Sequence, residues 1–318
     1  MKLLSKIIPV FIIVLLSATS AWSDDEDYFE KALTYTVEIT SQIKTPFLED
    51  TQGIFNGAGF LVDKERGWIV TNAHVASYSP AKITVSFKDE DFVPGETVYV
   101  DNYLDLAVIK IVPEKISNDK TEVNLKCDGD LKIGHPVGAF GHPWDFPYTG
   151  TKGIISGKTS HFGNQLLQTD APINKGNSGG ALVDSRGRLV GINTFIRSSS
   201  GGSEGIGLAI PSLTALEIFN DLVKFGEVRR GWLGFNIDPN TLRSSGKLLV
   251  NYIHSNSPAE QGNLKSGDII LKINNKASSY EDLFREFVRS KPGEEISLQI
   301  NRLGEIKELR FVAVARPE

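Results

Sequence analysis

Cysteine is nearly absent. Cys127 is the only one in 318 residues, so no intrachain disulfide can staple the fold, and a small buried or half-buried residue is its default role. Basic surplus is absent as well: 34 Lys and Arg stand against 39 Asp and Glu, a formal net charge of −5. No Lys/Arg cluster builds a surface that could track phosphates, which argues against nucleic acid as a partner. No H-E-x-x-H motif and no Cys/His pair occurs, so neither a metal nor a cofactor is expected. "GGSEGIGLAI" follows no strand–helix crossover and reads as a pocket wall rather than a nucleotide loop. Long apolar runs are missing too. The one candidate, Ile7 to Leu16, is shorter than the roughly 20 residues of a membrane span and contains Pro9.

What is present at the N-terminus is a leader. Lys2 and Lys6 precede that apolar run, and small residues and an acidic start at Asp24 follow it. This is the layout of a secretory signal over residues 1–23, with cleavage expected after Ala21-Trp22-Ser23. The expected location is therefore periplasmic or secreted, the alternative being an uncleaved anchor facing the periplasm. Without disulfides, an exported chain must stand on its core alone, and 318 residues suffice for two or three domains.

From about Lys31 to Thr194 the sequence alternates short β-rich runs with turn signals. "GAGFLVDKERGWIVTN" and "ALVDSRGRLVGINTF" read as hairpins, with "KITVSF", "ETVYVD", "LAVIKIV" and "GIISG" as further strands. After Pro211 the period changes. Ser212 is a plausible N-cap for "LTALEIFNDLVKFG", whose apolar residues form one helical face that Gly226 ends. "EVRRG" reads as a linker. Strands "GWLGFNI", "KLLVNYI", "DIILKIN", "EISLQINR" and "LRFVAVA" then surround a helix at about 279–290, an α+β module of normal size.

Ser178 lies in "NKGNSGGALV", where glycines serve tight turns and active sites equally. The stretch fits G-x-S-x-G, but that nucleophile elbow needs a helix after the serine and a histidine later in the same domain. Here a hairpin follows, and the only later histidine is His254 in the other module. The opposite chain order, His then Asp then Ser on a β scaffold, is available. His74 ends a strand in "WIVTNAHVAS", and Asp105 stands directly before "LAVIKIV". A serine hydroxyl needs an imidazole to accept its proton, and the imidazole needs a carboxylate to fix its tautomer. Taken singly, His74 could be a strand-end residue and Asp105 a turn residue. His135, His142 and His161 read as loop residues.

"TNAHV", "LDLAVIK", "LQTDAPINKGNSGGALVDSRGRLVGINT" and "GIGLAIPS" together resemble the HtrA/Deg family of chymotrypsin-fold serine proteases. "RRGWLGFNI" and "NSPAEQGNLKSGDIILKINNK" resemble that family's PDZ domain. The resemblance implies a mostly β fold: a double β-barrel protease domain over residues 24–228, including the helix and linker, then an α+β PDZ domain over 229–318. It implies His74 as general base, Asp105 as its orienting acid and Ser178 as nucleophile, with the backbone amides of Gly176 and Ser178 as oxyanion hole.

The base of the primary pocket in this fold lies six residues before the nucleophile, at Pro172, followed by Ile173; Ile206 and Leu208 are the expected wall. With no carboxylate there, cleavage after small or medium aliphatic residues is expected. By the same resemblance Trp232, Leu233, Gly234 and Phe235 match the PDZ carboxylate loop. Phe284, Phe287 and Val288, with Leu283, suit a groove-lining helix. The implied activity is ATP-independent endoproteolysis of misfolded or damaged envelope proteins. A site-specific regulatory protease, or a non-catalytic protein binding peptides through its PDZ groove, are the alternatives. Implied partners are unfolded proteins and peptide C-termini, and the implied assembly is a homotrimer or a multiple, with Tyr28 and Phe29 as candidate contacts. Two departures stand out: residues 158–165 form a short version of the family's sensor loop, and His142 stands where asparagine is frequent.

Overall fold

The computed structural model describes residues 23–47, 50–125, 131–142, 148–161, 164–196, 202–277 and 279–316. Cys127 lies outside them. The leader does too, up to residue 22. The first described element is a helix, α1 (Ser23–Leu33), which the sequence analysis does not anticipate. Its acidic residues crowd the N-terminal half and Lys31 falls in the last turn, so the charges complement the helix dipole.

Six strands follow: β1 (Thr36–Ile43), β2 (Gly53–Asp63), β3 (Trp68–Thr71), β4 (Ala81–Phe87), β5 (Val93–Asp101) and β6 (Leu106–Ile111). They close into a barrel in the order β1-β2-β3-β6-β5-β4, which removes exposed sheet edges. Strand β1 pairs with β2 from Thr36↔Phe60 to Ile43↔Gly53 and with β4 on its other side. The period-2 alternation of "TVEITSQI" sends Val37, Ile39, Ser41 and Ile43 inward, where Phe60, Leu61, Ile69 and Ile109 are fully buried. A four-residue helix, α2 (Ala73–Ala76), leaves the end of β3.

A second barrel comprises β7 (Pro136–Gly141), β8 (Thr149–His161), β9 (Asn164–Thr169), β10 (Ala181–Asp184), β11 (Leu189–Ile196) and β12 (Gly207–Pro211). Its order, β10-β11-β12-β9-β8-β7, is the circular order of the first barrel repeated. Val137, Ile155, Leu167, Ile173, Leu182 and Val190 form its core. Both expected hairpins form: β2 pairs with β3 and β10 with β11. Strands β8 and β9 occupy most of residues 158–165, so this segment is an extended hairpin whose tip, 162–163, lies outside the described residues. Tyr28 is buried against this barrel, with its ring 6.3 Å from Phe140, while Phe29 lies 4.8 Å from the same ring. Tyr28 thus packs within its own chain.

The chain divides into two compact units, residues 1–157 with 167–213, and 158–166 with 214–318. The second unit takes in most of α3 (Ser212–Phe225), the helix that the sequence analysis assigns to the protease domain. The reason is local: Asp221 on α3 accepts from the Arg229 amide at 3.1 Å and from Lys291 Nζ at 2.6 Å. The linker "EVRRG" is therefore tied down at its middle residue, Arg229. Beyond it lie β13 (Gly231–Trp232), β14 (Phe235–Ile237), α4 (Pro239–Ser245), β15 (Leu248–Ile253), α5 (Pro258–Gln261), β16 (Ile269–Ile273), β17 (Lys276–Ala277), α6 (Tyr280–Arg289), β18 (Glu295–Arg302), β19 (Glu305–Val312) and β20 (Val314–Ala315). One sheet runs β14-β15-β16-β18-β19, leaving β14 at an edge, and β13 pairs with β20. Leu248, Val250, Leu283, Leu298 and Ile300 are among the residues of a separate core. A Ser279–Asp282 capping box starts α6.

Candidate active site

His74 is presented on α2, the single turn after β3. Its exposed ring faces Asp105: Nδ1 lies 2.9 Å from both carboxylate oxygens, and the His74 amide donates to Oδ1 at 3.1 Å. Asp105 itself occupies the left-handed region, φ 52°, a conformation that aspartate tolerates better than most side chains. Two side chains hold that turn. Asn72 donates through Nδ2 to the Asp105 carbonyl at 2.8 Å. Buried Asp101 accepts from the Tyr103 and Leu104 amides at 3.0 Å each, folding "DNYLD" back on itself.

Ser178 follows Gly176, whose φ is 97°, and precedes Gly179, whose φ is 84°. A Cβ on Gly179 would lie 2.2 Å from both the Ala58 carbonyl oxygen and Thr71 Oγ1, so only glycine lets the serine loop approach the first barrel this closely. The approach is sealed by the Ala58 amide, which donates to the Ser178 carbonyl at 2.8 Å. The residue that joins the two halves of the site is Thr194, on β11. Its hydroxyl donates to Asp105 Oδ2 at 2.7 Å, and its carbonyl accepts from Ser178 Oγ at 2.9 Å. The structure thus gathers the three candidates, His74 bonded to Asp105 and Ser178 reaching the same carboxylate through Thr194. The serine hydroxyl is turned to the Thr194 carbonyl in this state. Sequence reasoning missed Thr194, although "GINTF" lies in the second strand of the hairpin that follows the serine; it also missed Asn72 and Asp101.

The electrostatics follow from these contacts. Burial works to raise the Asp105 carboxyl, but bonds from the His74 ring, the Thr194 hydroxyl and the His74 amide outweigh it and hold the group below the ordinary carboxylate range. His142 is a loop residue, as expected, but a buried one. It follows β7 directly, is 4 % exposed, and burial lowers its pKa from 6.5 to about 4. Its amide donates to the Gly176 carbonyl at 3.2 Å.

Of the expected pocket residues, Ile173 and Leu208 are buried in the second barrel, and Ile206 is exposed. Ile173 packs toward the space that a Gly207 side chain would take, 2.7 Å from that Cβ position. Pro172 is exposed, its carbonyl accepting from Thr151 Oγ1 at 2.8 Å, whereas Ile173 belongs to the core of the second barrel. In the second unit Leu233 is buried, its carbonyl accepting from the Ala259 amide, and the Gly234 carbonyl accepts from the His254 amide, both at 2.8 Å. Trp232 and Val288 are half-buried. Phe235 on edge strand β14 meets Phe287 on α6 edge-on at 5.5 Å. The side chain of Phe284 lies outside the described residues.

His142 generates a prediction on stability. Its unfolded form titrates near 6.5 and its folded form near 4, so between these values the unfolded chain binds more protons. The stability is complete above pH 6.5 and declines as pH falls toward 4, by about 3 kcal/mol at roughly 1.4 kcal/mol per pH unit. Denaturant titrations of His142→Leu are expected to lose this part of the slope between pH 6.5 and 4.5; a slope equal to that of the unsubstituted protein would refute it.

Comparison with known proteins accords with this geometry. The chain matches the family model of the trypsin-like peptidase domain over residues 57–192 and that of the PDZ domain over 231–311. It is 35% identical over 277 residues to a DegP-like periplasmic serine endoprotease of Brucella suis, covering 83% of this chain and 53% of that protein. A DegP-like protein of Chlamydia pneumoniae is 37% identical over 279 residues, covering 82% and 55%. The chain thus spans about half the length of these curated relatives. Among solved structures, the HtrA-type protease AlgW with a decapeptide superposes with a TM-score of 0.72 at 30% identity, covering 92% of this chain and 99% of that one. The serine endoprotease from Yersinia pestis superposes with a TM-score of 0.66 at 30% identity, covering 91% and 98%. With one barrel carrying His74 and Asp105, the other Ser178, and a PDZ domain behind them, the chain belongs to the HtrA family of trypsin-like serine proteases.

Proposed function

We propose that this chain is an ATP-independent serine endopeptidase of the periplasm, acting on loosely folded envelope proteins through His74, Asp105 and Ser178. The observation that carries the reading is the convergence of Asp105 and Ser178 on Thr194, with His74 bonded to the same carboxylate. For attack, Ser178 Oγ leaves the Thr194 carbonyl and gives its proton to His74 Nε2 as its oxygen bonds the scissile carbonyl carbon. Asp105 holds the ring in the tautomer that leaves Nε2 free and stabilises the imidazolium that forms. The amides of Gly176 and Ser178 receive the developing oxyanion, a contribution of about 3–4 kcal/mol per donor. His74 then protonates the leaving amine, and water releases the acyl group by the same relay. The relatives' periplasmic names and the leader-like start support the location.

Specificity rests on Ile173. A buried isoleucine against Gly207 fills the pocket base without a charge, which suits Val, Ala or Ile before the cut bond. In the second unit, edge strand β14 offers unpaired backbone groups beside α6, the arrangement by which an extended peptide adds as a strand with its carboxylate on the Trp232–Phe235 amides. The Phe235–Phe287 pair would line the seat of an apolar terminal residue. Trimeric assembly is proposed by likeness to the family.

Casein digestion by the mature protein and by Ser178→Ala is the direct test. Loss of a triad nucleophile costs roughly a millionfold in turnover, and sequenced cut sites are expected after Val, Ala or Ile. Equal activity of the two proteins, or cuts mainly after Arg or Lys, would defeat the respective claim. Thr194→Val keeps the carbonyl but removes the hydroxyl bond to Asp105. A bond to a charged group is worth about 1.5–3 kcal/mol, so kcat should fall about tenfold or more with KM unchanged, measured on a fluorogenic peptide. Full-length Ser178→Ala should bind peptides with a free apolar C-terminus in fluorescence titrations and lose that binding when the terminus is amidated.

A further inference from the structure

One strand end, Phe140-Gly141-His142, separates α1 from the loop that carries Ser178. On its outer side an aromatic cluster is built by α1. The Phe29 ring meets Phe140 at 4.8 Å and 76°, Tyr28 meets it at 6.3 Å and 84°, and Tyr148 stacks on it at 5.7 Å and 16°. Tyr148 also donates its hydroxyl to the Phe29 carbonyl at 3.0 Å and faces the His142 ring at 6.3 Å. Gly150 makes room for the helix: a Cβ there would lie 2.4 Å from Phe29 Cε1.

On the inner side the same three residues meet the serine loop. The Phe140 carbonyl accepts from Asn193 Nδ2 at 3.2 Å. A Cβ on Gly141 would lie 2.7 Å from Asn177 Cα. The His142 amide donates to the Gly176 carbonyl. Other holds on the loop include backbone bonds: the Asn177 amide donates to the Asn174 carbonyl, the Gly180 amide to the Asn177 carbonyl and the Gly179 amide to the Asn193 carbonyl. Asn177 is fully buried, yet neither of its side-chain polar atoms has a hydrogen-bond partner, and buried His142 Nδ1 has none. The Gly176–Asn177 peptide is held on one side by the turn bond within the loop, from the Asn177 amide to the Asn174 carbonyl at 3.0 Å, and on the other by the strand end, through packing and the His142 bond. Helix α1 packs on the far side of that strand end.

We propose that α1 is a positioning element of the active site: Phe29 and Tyr28, with Tyr148, clamp Phe140–His142 and thereby hold Gly176, two residues before the nucleophile. This goes beyond the triad and rests on the reading of the Gly176 and Ser178 amides as oxyanion donors. A purely structural role would stabilise the barrel and leave turnover per folded molecule unchanged. Positioning acts on the transition state, where a displacement of about 1 Å can lower the rate on the order of a hundredfold.

The experiment measures kcat and KM on a fluorogenic peptide, well below each thermal midpoint, for the unsubstituted protein, Phe29→Ala, Phe29→Leu, Tyr148→Phe and Ser178→Ala. Val85→Ala, in the core of the first barrel, serves as a destabilised control. Phe29→Ala should lower kcat about tenfold to a hundredfold with KM within about twofold, and Phe29→Leu should recover most of it. Tyr148→Phe should show a smaller loss, while Val85→Ala loses thermal stability and keeps its kcat. The clamp is overturned if Phe29→Ala is destabilised with kcat intact, or if kcat falls in Val85→Ala as it does in Phe29→Ala. Should Phe29→Ala fail to fold, an unchanged kcat in Tyr148→Phe overturns it equally. An unsubstituted protein no faster than Ser178→Ala overturns the nucleophile reading, and the clamp with it.

Discussion

Thr194 spans the two barrels at the point where a carboxylate of one must cooperate with a hydroxyl of the other. Its hydroxyl neutralises part of the desolvation of Asp105, and its carbonyl holds Ser178 Oγ. Both bonds come from one residue on β11, so the separation of acid and nucleophile is set by one peptide unit rather than by the sum of two loops. The Ala58 amide on the Ser178 carbonyl adds a second link across the same seam. A buried or half-buried carboxylate without such donors would take up a proton. Here the donors keep it charged, and a charged Asp105 is what His74 requires as a partner.

The site is otherwise sparing in polar contacts. Among the described residues, Asn72 Oδ1, His142 Nδ1 and the side-chain Oδ1 and Nδ2 of Asn177 lie buried without hydrogen-bond partners around the serine loop. Such groups cost stability, typically about 1–3 kcal/mol each, and in native proteins they gather where function constrains the backbone. The loop is instead shaped by close packing against strand ends, with glycines at the points of nearest approach. Tyr28, buried, and Phe29, half-buried, pack against the outer side of one of these strand ends.

The second unit has its own logic. Its core is separate, its helix α6 is capped by Ser279 and Asp282, and its edge strand β14 is left open beside that helix. An open edge is a hazard for aggregation unless it has a use, and strand addition by a peptide is the use that fits a Phe235–Phe287 floor.

Alternation of apolar and polar residues and the turn signals were enough to read the barrels' strands, the α+β module and the helices at 212–225 and 279–290. Chain order made His74, Asp105 and Ser178 candidates, and the resemblance of the segments around them to a known family is what assigned them roles. Those segments are local, each a run of adjacent residues. Thr194, Asn72 and Asp101 were not legible, since each acts through a contact whose partner is set by barrel closure. The burial of His142 and the exposure of Pro172 were equally hidden. Helix α1 and the pairing of Asp221 with Lys291 depend on surfaces assembled from distant segments. The sequence by itself determined most of the barrel strands, the helices at 212–225 and 279–290, and a His–Asp–Ser chain order on a β scaffold. Only the tertiary structure decided how those three side chains are held, because hydrogen bonds across a seam and rings against a strand end exist only after both barrels have closed.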